Sequence, residues 1–269
     1  MNVSWPMAIV LGLLFGVLAA VGVLREDADS SQPGSDGPHA TESPTDDSGD
    51  TPPPDDDGST AEPSRDDSRD DVSGKPESSG TDYVVTFTFD DGPHPTYTPQ
   101  VLRILRDHDV QAVFCVVGEA VRENPELVRD IVEAGHQLCN HTFDHDNHLA
   151  DRTDQQIRAQ LTRTSDAIEA ADDDADVPFF RQPATYVTDN VAAVARDEGY
   201  TPLDWTVDPR DWSNPGTDAV LTRVLDRIRP GSVVLLHDGG GDRSGTVAAL
   251  DQILTALDTA GYHVVLPED

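Results

Sequence analysis

Lysine is nearly missing from this chain: of its 18 basic residues, only Lys75 is not an arginine. Positive charge of any kind is scarce beside 51 acidic residues, and the formal net charge is −33 over 269 residues. A nucleic-acid partner is excluded on that ground, because a phosphate backbone needs clustered Lys and Arg. Hydrophobic residues make up 36% of the chain, aromatic ones 6%, where an ordinary globular domain holds about 45–50% apolar residues. Such a deficit means that part of the chain does not fold. The pairing of a dense acidic surface with arginine in place of lysine suits a protein kept soluble in high salt, where screening relieves self-repulsion.

One long apolar run is present. Residues 5–24 (WPMAIVLGLLFGVLAAVGVL) carry no charge and are long enough to span a bilayer as a helix. A secretory signal peptide is the competing reading, but its apolar core is usually about 7–15 residues behind basic ones, and none precede this run. A retained membrane anchor is preferred. From Arg25 to Gly80 the chain then holds 17 acidic and 4 basic residues, with Ala28, Ala40, Ala61 and Val72 as its only aliphatic side chains. Nothing there offsets the entropy of ordering, so residues 25–80 read as a disordered, self-repelling spacer dispensable for chemistry. Its Ser, Thr and Pro content would also suit O-glycosylation.

Residues 81–269 keep a net charge of −20 and are ample for one core. Short apolar runs at 83–89, 110–117, 136–140, 178–181, 201–207, 231–237 and 262–266 alternate with helical patterns near 98–108, 125–135, 153–170, 188–199, 217–229 and 246–260. Pro125 and Thr217 are suited to helix starts, and Gly135, Gly199 and Gly261 to helix stops. This alternation predicts a parallel α/β sheet, open or closed into a barrel.

Reactive side chains gather where these strands should end. TFDDGP (88–93) places the consecutive carboxylates Asp90 and Asp91 at a strand exit, where they point to different sides and can take different tasks, one on a cation and one as a base. Asp90-Asp91-Gly92-Pro93 is also good turn chemistry. His141 and His145 stand at i and i+4 in HTFDH, a spacing that would put both on one helical face and let them grip one metal. Arg181 in FFRQP could hold a carboxylate ionised through its fork of donors. Asp211-Trp212 and Leu235-Leu236-His237-Asp238 follow at the fifth and sixth strands. Each motif has a plain structural reading by itself. Their convergence at carboxyl ends of parallel strands is where α/β proteins place their sites.

The ordered set TFDDGP, HTFDH, RQP, DW, LLHD resembles the polysaccharide deacetylases of carbohydrate esterase family 4, the NodB homology domain, from about Val84 to Leu266. The resemblance implies a distorted (β/α) barrel of about seven parallel strands and one divalent metal ion, commonly zinc, with cobalt or another divalent ion as alternatives. It also implies hydrolysis of N-acetyl groups on a GlcNAc-containing polysaccharide. Carried over by position, Asp91, His141 and His145 would be the metal ligands and Asp90 the general base. His237 would be the general acid, Asp211 its orienting partner, and Arg181 the group that orients Asp90. Trp212 and Leu235 would wall the acetyl pocket. The third motif departs from the family's usual Arg-Pro-Pro-Tyr-Gly and reads Arg181-Gln182-Pro183-Ala184-Thr185-Tyr186. Ala184 should then supply the oxyanion N–H, and the aromatic wall is lost or moved to Tyr186. An O-acetyl esterase acting on xylan-like polymers, or a surface glycan-binding protein without catalysis, are the rival readings. His94 and His148 match no ligand position, and the sequon Asn140-His141-Thr142 lies too close to the metal to carry a glycan. A monomeric, surface-anchored enzyme facing outward, or a secreted one if residues 5–24 are cleaved, is expected.

Two cysteines remain. Cys115 and Cys139 fall in the expected second and third strands, where a cross-strand bridge is geometrically near reach. Two buried free thiols are the preferred reading.

Overall fold

The computed structural model describes residues 83–268. The apolar run at 5–24 and the acidic segment at 25–80 lie outside the described residues, and no helix among the described residues is long and apolar enough to cross a membrane.

The chain alternates strand and helix: β1 (Val84–Asp90), α1 (Thr98–Asp107), β2 (Val113–Val116), α2 (Gly118–Glu123), α3 (Pro125–Glu133), β3 (Gln137–Asn140), α4 (Asp154–Ala171), β4 (Phe179–Phe180), α5 (Asp189–Asp197), β5 (Thr201–Pro202), α6 (Thr217–Arg227), β6 (Ser232–His237), α7 (Ser244–Thr259) and β7 (His263–Val264). All pairings are parallel, in the order β5-β4-β3-β2-β1-β6, with β7 added to β1. β7 takes Val84 and Val85 while β2 takes Thr88 to Asp90, so the two share one edge of β1.

The 201–207 run, expected as one strand, is divided. Leu203 donates its N–H to Phe180 on β4, whereas Thr206 and Val207 donate to Val233 on β6. A lone bridge between Val207 and Val234 therefore reaches from the β5 end of the sheet to its β6 end. The result is a parallel α/β half-barrel that fits a distorted barrel. Asp204 and Trp205 lie between the two pairings, and Trp205 lines a cavity.

Period-two alternation gives β1 its two faces. Val85, Phe87 and Phe89 join the core against the helices, with Val101 and Leu105 of α1, Val128 and Ile131 of α3, and Leu250, Ile253 and Leu257 of α7. Thr86, Thr88 and Asp90 form a buried polar file on the other face. From Val85 onward the whole strand is buried, as expected of a parallel strand covered on both sides. α4 starts on a capping box in which Thr153 and Gln156 satisfy each other's backbone N–H groups. α2, six residues long, escaped the sequence pattern because it is too short to show a helical period.

The structure corrects two expectations. His141 and His145 do not share a helical face: residues 141–145 form an irregular loop after β3, with left-handed φ angles at Thr142 (65°) and His145 (54°). The cysteines are not free thiols. β2 and β3 pair with Cys115 directly opposite Cys139, and the two form a disulfide. Sequence spacing could not reveal this, because it depends on register and on both side chains facing the same side of the sheet.

Candidate active site

Asp90 closes β1 directly beside Cα partner His237, which closes β6. The register thus sets a carboxylate and an imidazole on neighbouring strand ends. The next residue, Asp91, turns left-handed (φ 72°), which carries its side chain away from the strand direction. A close approach holds this turn: a Cβ added to Gly239 would stand 2.0 Å from the Asp91 carbonyl oxygen, so only glycine fits there.

Asp91 faces the two histidines. Its Oδ1 lies 3.1 Å from His145 Nε2 and 3.5 Å from His141 Nε2, and His141 Nε2 is also 3.6 Å from Asp90 Oδ2. The ring of His141 is aimed by its other nitrogen, Nδ1, which sits 2.9 Å from the Arg181 carbonyl oxygen. One donor atom from each of Asp91, His141 and His145 lies within 4.8 Å of the other two. Asp91 Oδ1 is buried yet has no aligned hydrogen-bond donor, so the imidazoles approach it as fellow ligands would. Burial by itself would raise the Asp91 carboxyl, but the proximity and charge of His141 and His145 hold it well below the usual carboxylate range. A carboxylate and two imidazoles converging in this way fit a divalent cation.

Asp90 is held from behind. Arg181, fully buried, donates from Nη1 to Asp90 Oδ1 at 2.7 Å and to Thr88 Oγ1 at 2.7 Å, and from Nε to the Leu203 carbonyl at 2.9 Å. An arginine so anchored fixes the direction of its carboxylate.

His237 is held in the same manner. Its Nδ1 lies 2.8 Å from Asp211 Oδ1, while Asp211 Oδ2 accepts from the His237 N–H (2.9 Å) and from Thr246 Oγ1 (2.8 Å). Desolvation opposes a charged ring here, but Asp211, reinforced by Asp90 and Asp91, overrides it and pushes the His237 pKa up to about 9. The ring is therefore an imidazolium at neutral pH. Its neighbour Asp238, wholly buried, is pushed up to about 7 by burial, which with the charges of Asp91 and Asp90 outweighs a hydrogen bond from Thr98.

One cavity of about 360 Å³ collects Asp90, Asp91, His141, His145, Ala184, Trp212, Leu235 and His237. Arg181 and Asp211 stand behind it. All ten residues singled out in the sequence are thus brought together. Ala184 has a left-handed φ of 65°, and its loop is tied down by Gln182, whose Oε1 accepts from both the N–H and the hydroxyl of Thr188. His94 and His148 stay outside the cavity: His94 stacks on Tyr97, and His148 lies in a neighbouring groove. Asn140 is fully buried and bonded to the Leu161 carbonyl, so the sequon is closed to a glycan.

Sequence reasoning missed several residues here. Thr88 and Thr246 complete the hydrogen bonding of Arg181 and Asp211, and Trp205 and Arg243 line the cavity. Thr88 had a signal, since it shares the face of Asp90 two residues earlier. Thr246 had none.

A family model described as polysaccharide deacetylase matches residues 77–203. A peptidoglycan-N-acetylglucosamine deacetylase of Bacillus cereus is 39% identical over 191 residues, covering 70% of this chain and 88% of the relative. The chain belongs to the polysaccharide deacetylase family. A chitooligosaccharide deacetylase of Sinorhizobium fredii is 40% identical over 191 residues, covering 67% of this chain and 88% of the relative. Among solved structures, a CE4 family pseudoenzyme from Bacillus anthracis superposes with a TM-score of 0.63 at 36% identity, covering 69% of this chain and 64% of that one. The family resemblance read in the motifs is borne out, and with it a hydrolase of the deacetylase type. Because a pseudoenzyme shares the fold, the reactive groups themselves must carry any finer reading.

Proposed function

We propose that this chain removes N-acetyl groups from GlcNAc residues of a polysaccharide, releasing acetate, with a divalent cation held by Asp91, His141 and His145. The observation that carries the reading is the pair Asp90 and His237, a carboxylate fixed by Arg181 and an imidazolium fixed by Asp211, set on adjacent strand ends around the three ligands. A binding module has no use for a base and an acid flanking a cation site. The names of the B. cereus and S. fredii relatives support the amide of an N-acetylated amino sugar as the bond attacked.

When bound, the cation would supply Lewis-acid polarisation of the amide carbonyl and acidify water. Asp90 takes a proton from the attacking water, whose oxygen forms the new bond to the acetyl carbon. The Ala184 N–H faces the oxygen that gains negative charge. His237 then delivers its proton to the amide nitrogen as the C–N bond breaks, so the amine leaves neutral with acetic acid as the other product. The acid loses its proton to solvent as acetate, and the proton that Asp90 took passes back to His237 to reset the pair. Arg181 holds Asp90 in position for the first step, and Asp211 keeps His237 charged for the second. Trp212 and Leu235 flank the acetyl methyl. We propose a cell-surface location, with residues 5–24 as a membrane anchor, on the strength of their composition.

The test is acetate release from matched N-acetyl and O-acetyl polysaccharides, with and without a chelator. Release from the N-acetyl glycans that stops on chelation and returns with zinc supports the reading. Release only from acetyl xylan would make it an O-acetyl esterase, and none from any substrate would leave a binding protein.

A further inference from the structure

The two imidazoles of the cation site are not aimed by the same means. His141 is fixed through its own ring, since its Nδ1 sits 2.9 Å from the Arg181 carbonyl oxygen. The side chain of His145 is 33% exposed, and its one polar contact among the described residues besides His141 is Nε2 to Asp91 Oδ1 at 3.1 Å. No group behind the ring steers it, so its direction comes from the backbone that carries it. That backbone is unusual, because Thr142 and His145 are both left-handed. Residues other than glycine persist there only where their surroundings hold them firmly.

Two helices do the holding. From α2, Gly118 and Glu119 donate their N–H groups to the carbonyls of Thr142 (3.0 Å) and Phe143 (2.9 Å). Between the two histidines lie three backbone N–H groups. Asn140 Oδ1 accepts that of Thr142 at 3.0 Å, and Gln160 Oε1, from α4, accepts both others, Phe143 at 2.9 Å and Asp144 at 3.3 Å. Gln160 Nε2 in turn donates to Asp144 Oδ2 at 2.9 Å. The Phe143 side chain anchors the loop from within. It is buried, with the guanidinium carbon of Arg163 3.7 Å and that of Arg122 5.7 Å from its ring centre. A Cβ added to Gly118 would stand 2.5 Å from Phe143 Cδ2, so only glycine admits the ring. Gln160 and Arg163, at i and i+3, turn one face of α4 to this loop.

An amide suits this position for a chemical reason. It offers one oxygen to two N–H groups and a nitrogen to a carboxylate. A carboxylate in its place would accept the same N–H groups but repel Asp144. We propose that Gln160 is a positioning residue for the second imidazole ligand: by holding the Phe143 and Asp144 N–H groups from α4, it sets where His145 points and so how tightly a divalent cation is held. A ligand aimed beforehand loses less freedom when the cation arrives. This deepens the proposed function and rests on its cation site.

The experiment titrates the metal-free full chain with zinc against a chromogenic chelator, with His141→Ala as the background. Its variants are Gln160→Ala, Gln160→Glu, and the exchanged pair that combines Gln160→Glu with Asp144→Asn. Gln160→Ala should weaken zinc binding by about 10- to 100-fold, the range usual for a group that orients a metal ligand. Gln160→Glu should weaken it despite the added negative charge, because it sets two carboxylates against each other. The exchanged pair keeps the net charge and returns a donor to face the carboxylate, so it should restore the affinity. The visible absorption of the cobalt(II)-loaded protein, which reads coordination geometry, should be altered in Gln160→Ala and normal in the exchanged pair.

Unchanged zinc affinity in Gln160→Ala overturns the inference, and so does a loss that the exchanged pair leaves in place. Should Gln160→Ala not fold, Gln160→Glu and the exchanged pair decide alone, and equal affinities in the two overturn it. If the wild type itself binds no zinc, the cation site of the proposed function is wrong and this inference falls with it. If the wild type binds zinc but releases no acetate, only the reaction is wrong, and the zinc titrations still decide the role of Gln160.

Discussion

His237 ends β6 at the carboxyl end of the sheet, and His136 precedes β3 at the amino end; both are less than one-tenth exposed. Their chemistry is opposite. His237 has the Asp211 carboxylate 2.8 Å from Nδ1 and stays charged up to a pKa of about 9. His136 accepts the Ala112 N–H on Nδ1 and has no partner on Nε2, and burial pushes its pKa down to about 4. Burial disfavours the imidazolium at both ends, so burial does not make a functional histidine. A carboxylate that is itself held in place does. The same contrast separates Asp91, held ionised by two imidazoles, from Asp238, which is buried with no cationic partner among the described residues and is pushed up to about 7.

The hardest blow to the carboxyl end is His141→Ala. Bound divalent metal, measured by elemental analysis after dialysis, should drop from stoichiometric to none, and acetate release should vanish with it. A variant that keeps stoichiometric metal would show that the ligand set is wrong. Asp90→Asn comes next. The amide preserves an acceptor for Arg181 but removes the proton acceptor, so kcat should fall by roughly 10²–10⁴-fold while metal content and melting temperature stay near those of the wild type.

Asp211→Asn sharpens the contrast between the two histidines, because it makes His237 more like His136. In the acid role proposed for it His237 must be charged, so wild-type kcat should fall as pH rises through about 9. In the variant the carboxylate support is gone, and the alkaline limb should move down towards the ordinary histidine value of 6.5. A limb that does not move would remove His237 from the acid role.

The smallest effect belongs to the amino end. The folded-state pKa of His136 is lowered, so its contribution to stability is present above 6.5 and lost as pH falls towards about 4. The raised pKa of His237 works the other way: its contribution is full below 6.5 and lost as pH rises through about 9. His136→Gln, which keeps an acceptor for Ala112, should leave acetate release at neutral pH unchanged. It should also lessen the fall in melting temperature between pH 6.5 and 4. Loss of activity in this variant would mean that the two ends are coupled.

Much of this was legible in the residues alone. The alternation of apolar runs and helical patterns foretold the parallel sheet, because periods of two and 3.6 are local properties of the chain. The ordered motifs foretold which side chains would gather at one end of the sheet, since a strand exit is a place that sequence can mark. Asp90, His141, Arg181 and His237 each stand within one residue of such an exit.

Other features waited on tertiary structure. The Cys115–Cys139 disulfide depends on strand register, where a slip of one residue would turn a thiol to the opposite face. The histidine pair works from a loop with two left-handed residues, not from a helix, and the i, i+4 spacing is compatible with either. Thr246 reaches Asp211 across 35 residues, and Arg181 reaches Asp90 across 91. The division of 201–207 between β4 and β6 leaves Trp205 facing the cavity and in stacking reach of Tyr186. Which residue types cluster at the strand ends is written in the local pattern. Which of them touch, and therefore which histidine is charged and which aromatic pair is presented, is decided by barrel closure and register, because those contacts join parts of the chain that no local period connects.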